Sequence, residues 1–411
     1  MSSLLLSLLQ DQTSPRWCAV PQTFVDHAHQ VIDFIKAKGD GADIDLQVWR
    51  SHSSAQPFCY TLTVASLRRS PYSQDMFARY TLESISKIAF GTSLGAITSD
   101  SLDLATCLRD DNITGSTFGK AFDQAQTAAV WRFLWPFWKL RRMFGTPIER
   151  NLSLAVDVVN KYAHDLIKSR REQDLTGKLD VLSWFMNLRD DNGEPYSDEY
   201  LRDVIMNFMI AGRDTTANAL TWTFHMLTQN PECVSKLREE LDSLGIGSPG
   251  SAPTAAQLKS MKYTEAVVKE TLRLYPSVPR ELKMCVKDDT LPDGTSIKAG
   301  QIASYMPYCQ GRVEKLWGKE AGFPHDAETF YPERWLDEDF KPNAFYYPVF
   351  QAGLRTCMGK DMALMEAKTA TAMLVASFDI KPVPGHPSNP DIQNSVTCPM
   401  AGGLHCVMTP R

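Results

Sequence analysis

The chain has 411 residues, 43 % of them hydrophobic and 22 % charged, with a formal net charge of −5. Such a composition supplies a large buried core, and its slight acidity argues against nucleic acid as the main partner, whose binding surface usually shows as a basic surplus. The nine cysteines are scattered without a Cys-x-x-Cys pair, which argues against a zinc knuckle, a thioredoxin motif or a disulfide framework, and for a reducing compartment.

In chain order, the first segment, MSSLLLSLLQDQ, has an apolar run far shorter than the roughly 20 residues that span a bilayer. It also lacks the basic start of a signal peptide. Residues 48–74 (VWRSHSSAQPFCYTLTVASLRRSPYSQ) are Ser-rich and without period, and they interrupt two segments that join well, ADIDLQ and DMFARYTLESISKIAFG. They read as an insertion. One account is an ordinary surface loop, which costs little free energy. The other is a short intron kept in the coding sequence, because valine codons begin GT and the commoner closing glutamine codon is CAG. Residues 130–145 (VWRFLWPFWKLRRMFG) are aromatic and basic, and read either as a contact with a membrane surface or as a packed helix–turn with core aromatics.

Residues 149–171 form an amphipathic helix by their 3.6-residue spacing. A longer helix is expected from about 195 to 230, apolar on nearly every face and therefore running through a core, with Pro231 just past its end. Residues 257–274 read as one further helix. Short strands are expected at 282–286, 295–298 and 403–408, with a long ordered coil over 307–348. The fold class is mainly α with small β sheets, in a single domain over 1–411. Gly245-Ile-Gly247-Ser-Pro-Gly250 matches a dinucleotide-binding pattern, but it follows a helical run rather than a strand and contains Pro249, so it reads as a loop.

Four stretches carry chemistry. In FQAGLRTCMGK, a helical pattern from Lys360 onward puts Cys357 at a helix start, where backbone N–H groups favour a thiolate, the form that binds metals. Gly353 and Gly359 permit positive φ and close approach to a flat partner. Arg355 can pair with a carboxylate on that partner, and Phe350 can cover the sulfur. A cysteine without such neighbours is usually a small buried hydrophobe. The second stretch is Ala211-Gly212-Arg213-Asp214-Thr215-Thr216, inside the long apolar helix. Charges there are costly unless paired or used. Gly212 weakens the helix, and a threonine hydroxyl can bond back to the turn before it, so together they are expected to open a groove. The third and fourth are Glu270 with Arg273, three apart on one helix face, and Pro332-Glu333-Arg334-Trp335.

Phe350-x-x-Gly353-x-Arg355-x-Cys357-x-Gly359 resembles the haem-binding signature of the cytochrome P450 superfamily, and the other three motifs follow that family's order. The resemblance runs from about Asp75 to the C-terminus. It implies the P450 fold, haem (iron protoporphyrin IX) with Cys357 as axial thiolate ligand of the iron, and Arg355 on a propionate. It assigns Asp214 and Thr215 a proton relay in oxygen activation. Glu270, Arg273 and Arg334 become structural supports. Phe208, Ala211, Val278 and the turn 399–403 are expected to border the substrate pocket.

DVIMNFMIAGRDTTANALTW, GRVEKLWGKEA and RTCMGKDMALMEAK are similar to the fatty-acid omega-hydroxylase group. That similarity implies a monooxygenase inserting one atom of O2 into a C–H bond of a long-chain fatty acid. Without a flavin or nicotinamide motif, electrons are expected from NADPH through a separate reductase. Members of this group usually begin with a membrane-anchor helix, a Pro-rich hinge and early helices and strands. Their absence here implies an N-terminally shortened P450 fold that is cytosolic or peripheral, where the family is at the endoplasmic reticulum membrane. Two other readings stand beside the enzyme. One is a shortened, non-catalytic haem-fold relic or faulty gene model. The other is a haem-thiolate enzyme that rearranges hydroperoxides, which the Asp214-Thr215 pair disfavours.

Overall fold

A computed structural model describes residues 15–39, 43–46, 76–100, 102–134, 137–393 and 395–411. The suspected insertion at 48–74 lies outside them. The helices are α1 (Pro15–Ala37), α2 (Met76–Phe90), α3 (Leu104–Arg109), α4 (Gly115–Leu134), α5 (Trp138–Met143), α6 (Pro147–Arg171), α7 (Val181–Asn187), α8 (Asp198–Gln229), α9 (Pro231–Ser243), α10 (Ala255–Ser260), α11 (Lys262–Leu274), α12 (Pro307–Gln310), α13 (Glu314–Trp317) and α14 (Lys360–Ser377). Strands β1 (Asp43–Asp45), β7 (His405–Pro410) and β6 (Phe378–Pro382) form an antiparallel sheet in the order β1-β7-β6. Two antiparallel pairs are β2 (Glu281–Met284) with β5 (Ile302–Tyr305), and β3 (Asp289–Thr290) with β4 (Ser296–Ile297). The mainly-α expectation holds.

The long helix α8 starts where Ser197 accepts a hydrogen bond from the Tyr200 amide, an N-cap that satisfies one of the free amides of a helix start. Pro231 does more than follow its end, because it is the first residue of α9, a position where its missing N–H costs nothing. The N-terminal half of α8 packs in one apolar cluster with α2, α4, α6 and α7. Its C-terminal half belongs to a second cluster with α1, α11, α14 and the β6–β7 sheet. The helix thus threads both cores.

Gly212 does not break α8, which is continuous. Its role is close packing: a Cβ there would stand 2.5 Å from Ile85 Cγ1 and 2.6 Å from Cδ1 of α2. Gly212→Ala therefore gains helix propensity of up to ~1 kcal/mol but forces the helices apart, an overpacking that costs about 1–3 kcal/mol. The expected net loss in urea denaturation should be recovered in the double variant with Ile85→Ala, because the two residues touch.

The helix expected at 257–274 is two helices, divided at Met261. A residue from elsewhere divides it: the Glu240 carboxylate of α9 accepts the amides of Tyr263 at 2.6 Å and Thr264 at 2.8 Å, capping α11 from outside. The coil at 307–348 contains only short turns of helix. The described residues of the aromatic stretch at 130–145 are not a packed core segment. No residue of α5 is buried, and Phe137, Leu140, Met143 and Phe144 are exposed, Phe144 to 75 %.

Candidate functional site

Cys357 lies two residues before Gly359, the cap of α14, as the helical pattern predicts. Its amide donates to the Phe350 carbonyl at 2.8 Å, closing the loop onto itself. Gly353 sits at φ +63° with nothing within 4 Å of where a Cβ would be, so its need is conformational. Gly359, by contrast, has φ −87°. A Cβ there would stand 3.9 Å from the cysteine sulfur, so this glycine keeps the wall beside the sulfur low rather than supplying a left-handed turn.

Gln351, absent from the sequence reading, has φ 63° and ψ −179°, a region that belongs almost only to glycine. The Tyr305 hydroxyl of β5 donates to its Oε1 at 2.6 Å. Nothing in a glutamine side chain announces such a backbone. The one available signal was its place next to Phe350 in the cysteine loop.

Between this loop and α8 lies a cavity of about 350 Å³. The α8 wall is built from Phe208, Ala211, Gly212 and Thr215; the facing wall from Phe350, Gln351, Cys357 and Gly359. Val278 and Glu281 also line it. A neighbouring groove of about 400 Å³ along α1 and α2 shares Met358, Gly359 and Met362 but not the sulfur.

Cys357 counts as exposed because the cavity reaches it, yet the protein packed around the sulfur dominates its chemistry. Burial pushes the thiol above its ordinary range, while the Gly359 amide and the Lys360 charge pull down without overcoming it. The helix start alone therefore does not make a thiolate, and a metal must displace the proton.

A flat metal-bearing group fits this donor set. One thiol can ligate, Ala211, Gly212 and Thr215 keep much of the opposing helix low, and Gly359 leaves room beside the sulfur. Gly353 and Arg355 do not line the cavity. Arg355 is exposed and makes no hydrogen bond or ion pair among the described residues. The turn 399–403 also lies outside the lining, with Met400 fully buried in the core.

Asp214 and Thr215 share a turn but not a face, as adjacent helical residues must. Thr215 lines the cavity and its hydroxyl donates to the Ala211 carbonyl at 2.7 Å, the back-bond expected of a mid-helix threonine. Asp214 is turned away: Gln126 of α4 donates to it at 2.7 Å and Arg213 at 2.9 Å. Arg213 also reaches Asp123 at 3.1 Å. The two charges within the apolar helix are thus paired. An acid–alcohol relay is not assembled in this arrangement.

Glu270, Arg273 and Arg334 are wholly buried. Glu270 receives Arg273 at 2.7 and 2.9 Å, Arg334 at 3.0 Å, the Tyr331 amide at 2.9 Å and the Trp335 indole at 2.9 Å. Arg273 continues to the carbonyls of Ala327 at 2.6 Å and Thr329 at 3.0 Å, and Arg334 to that of Trp317 at 2.6 Å. This cluster ties α11 to the coil preceding the cysteine loop and stands back from the cavity. Burial lowers the Arg334 pKa, with the Glu270 charge opposing it.

Among the described residues no helix is long and apolar enough to cross a membrane. The cytochrome P450 family model matches residues 53–407. Cytochrome P450 94C1 of Arabidopsis thaliana is 38 % identical over 315 residues, covering 75 % of this chain and 59 % of that protein. Cytochrome P450 704B1 of the same plant is 33 % identical over 380 residues, covering 82 % and 69 %. Cytochrome P450 86B1, also from Arabidopsis thaliana, is 35 % identical over 350 residues, covering 80 % and 59 %. The chain thus spans about three-fifths of the length of two of these relatives. With a cysteine at the mouth of a helix, a cavity facing α8 and a family match over most of its length, the chain belongs to the cytochrome P450 family.

Proposed function

We propose that the chain is a haem-thiolate monooxygenase acting on a long-chain fatty acid, at or near its terminal carbon. The observation that carries this reading is one apolar cavity with the Cys357 sulfur on one wall and the Thr215 hydroxyl on the other. The similarity of the α8, Gly311–Ala321 and cysteine-loop sequences to the fatty-acid omega-hydroxylase group supports the substrate class. When bound, haem held by a thiolate supplies the activation of dioxygen, one atom entering the substrate C–H bond and the other leaving as water.

Each residue then has a task. Cys357 holds the metal and Phe350 shields the sulfur. Gly353 supplies the left-handed turn of the loop, Gly359 keeps the wall beside the sulfur low, and Arg355, exposed outside the lining, would hold a propionate. Phe208, Ala211 and Val278 exclude water around an alkyl chain. Thr215 commits its proton to the Ala211 carbonyl and so offers oxygen lone pairs to a polar guest. Asp214 supplies protons only after its carboxylate leaves both Gln126 and Arg213. The electrons come from NADPH through a separate reductase. The exposed apolar residues of α5 and its flanks, with Lys139 and Arg142 beside them, rest on a lipid surface from which substrate enters.

The test supplies reductase, NADPH and a saturated long-chain fatty acid, and measures product against oxygen consumed. Thr215→Ala should give roughly 10-fold less product per O2, the worth of one lost hydrogen bond of about 1.4 kcal/mol, with Thr215→Ser restoring it. Unchanged coupling in Thr215→Ala removes the hydroxyl from the mechanism. No hydroxylated product from the haem-loaded chain defeats the reading itself.

A further inference from the structure

Glu366 stands on α14, nine residues after Cys357, and is 2 % exposed. Its neighbours on the same helix, Ala363 and Ala367, line the cavity, while Glu366 meets α2 at Ser84. Ser84 is fully buried and lies 3.0 Å from Nδ1 of His27 on α1, itself buried. Three helices thus meet at a line of polar side chains, Glu366–Ser84–His27. The carboxyl oxygen Oε1 of Glu366 has no hydrogen-bond partner. Nothing in the proposed chemistry uses this residue.

We propose that Glu366 is a positioning residue: it fastens α14, the helix into which the Cys357 loop runs, to α1 and α2 through Ser84 and His27, and so sets where the sulfur stands in the cavity. The proposal rests on Cys357 being the haem ligand.

The group works as a neutral acid. No cation pairs with it among the described residues, and the one basic residue nearby on α14, Lys368, is turned to Glu265 at 2.9 Å and the Leu258 carbonyl at 2.7 Å. Burial pushes the Glu366 carboxyl well above its ordinary range, with the Ser84 hydroxyl opposing. The groups facing the line do not offset this. On α2, Tyr80 is fully buried and neutral, its own pKa raised by burial and then by Glu366. Also on α2, Glu83 is occupied by the amides of Leu94 at 2.8 Å and Ala96 at 2.7 Å, and Lys87 lies beyond it. On α1, His27 is held below its ordinary value by burial, against Glu83 and Asp26. Among the described residues, no charged group on the other helices packed against α14 acts on Glu366.

A carboxyl whose folded pKa lies above its unfolded value gives stability that is fully present below the unfolded value and is lost as pH rises toward the folded one. The experiment compares Glu366→Gln, Glu366→Leu and Ser84→Ala with the unchanged chain. Urea denaturation of the haem-free protein across pH reads the neutral acid. The unchanged chain should lose stability from about pH 5 upward by more than Glu366→Gln does, since an amide cannot ionise. The carbon monoxide difference spectrum of the reduced, haem-loaded protein reads the sulfur position. Glu366→Gln should keep the thiolate band, while Glu366→Leu and Ser84→Ala should retain haem roughly 10-fold more weakly with part of the band lost. Equal loss in Glu366→Gln and Glu366→Leu, or full retention in Ser84→Ala, overturns the proposal. Identical pH dependence in the unchanged chain and Glu366→Gln overturns the neutral acid. A chain that folds but never shows the thiolate band fails the haem reading, and the denaturation arm still decides the state of Glu366.

Discussion

Glu270→Ala should leave little folded protein. The substitution strands two fully buried guanidinium groups, Arg273 and Arg334, without their anion. It also removes the acceptor of the Tyr331 amide and the Trp335 indole. Breaking a buried ion pair by deleting one partner costs about 3–5 kcal/mol, and each buried donor left without an acceptor adds about 1–3 kcal/mol. Total stability for a folded domain is about 5–15 kcal/mol, so these losses consume most of it. Glu270→Gln keeps the acceptors for Tyr331 or Trp335 in part but not the charge, and should fall between. Urea denaturation of the soluble fraction measures both. A Glu270→Ala chain as stable as the original would mean that the cluster does not hold α11 to the cysteine-bearing coil.

Cys357→Ala should remove the only thiol among the described residues that line the cavity and with it the thiolate character of any bound haem. The substitution touches little else. The Cys357 amide that closes the loop on Phe350 belongs to the backbone and survives, and a smaller side chain at a cavity wall leaves no unfilled core. Stability in urea should therefore barely change while haem titration, followed by absorbance, loses its thiolate signature completely. Loss of fold in Cys357→Ala would make the cysteine a structural residue. Retention of the signature would place the ligand elsewhere.

Much of this architecture is legible residue by residue. The extent of α8 follows from Ser197, the apolar run and Pro231, all local signals. The cysteine loop is legible because a thiol, two glycines and a following helix make a dense pattern. What escaped depends on partners distant in sequence. The division at Met261 is imposed by Glu240 from another helix. The reason for Gly212 is Ile85, 127 positions earlier in α2. The Asp214 carboxylate turns from the cavity because Gln126 and Arg213 hold it, which the adjacent Asp-Thr pair does not disclose.

Strands β5 and β6 are four and five residues long, too short for alternation to stand out. Glu366 sits where an exposed polar position of α14 would be expected, and only the packing of α1 and α2 over it reveals a buried acid.

The central claim is that Cys357 ligates haem iron as a thiolate in this chain. The most direct measurement is the carbon monoxide difference spectrum of the reduced, haem-loaded protein with its native residues. The red-shifted band characteristic of thiolate ligation is expected, and it should vanish in Cys357→Ala. Folded, soluble protein that binds no haem, or binds it with a band lacking that shift, would contradict the account.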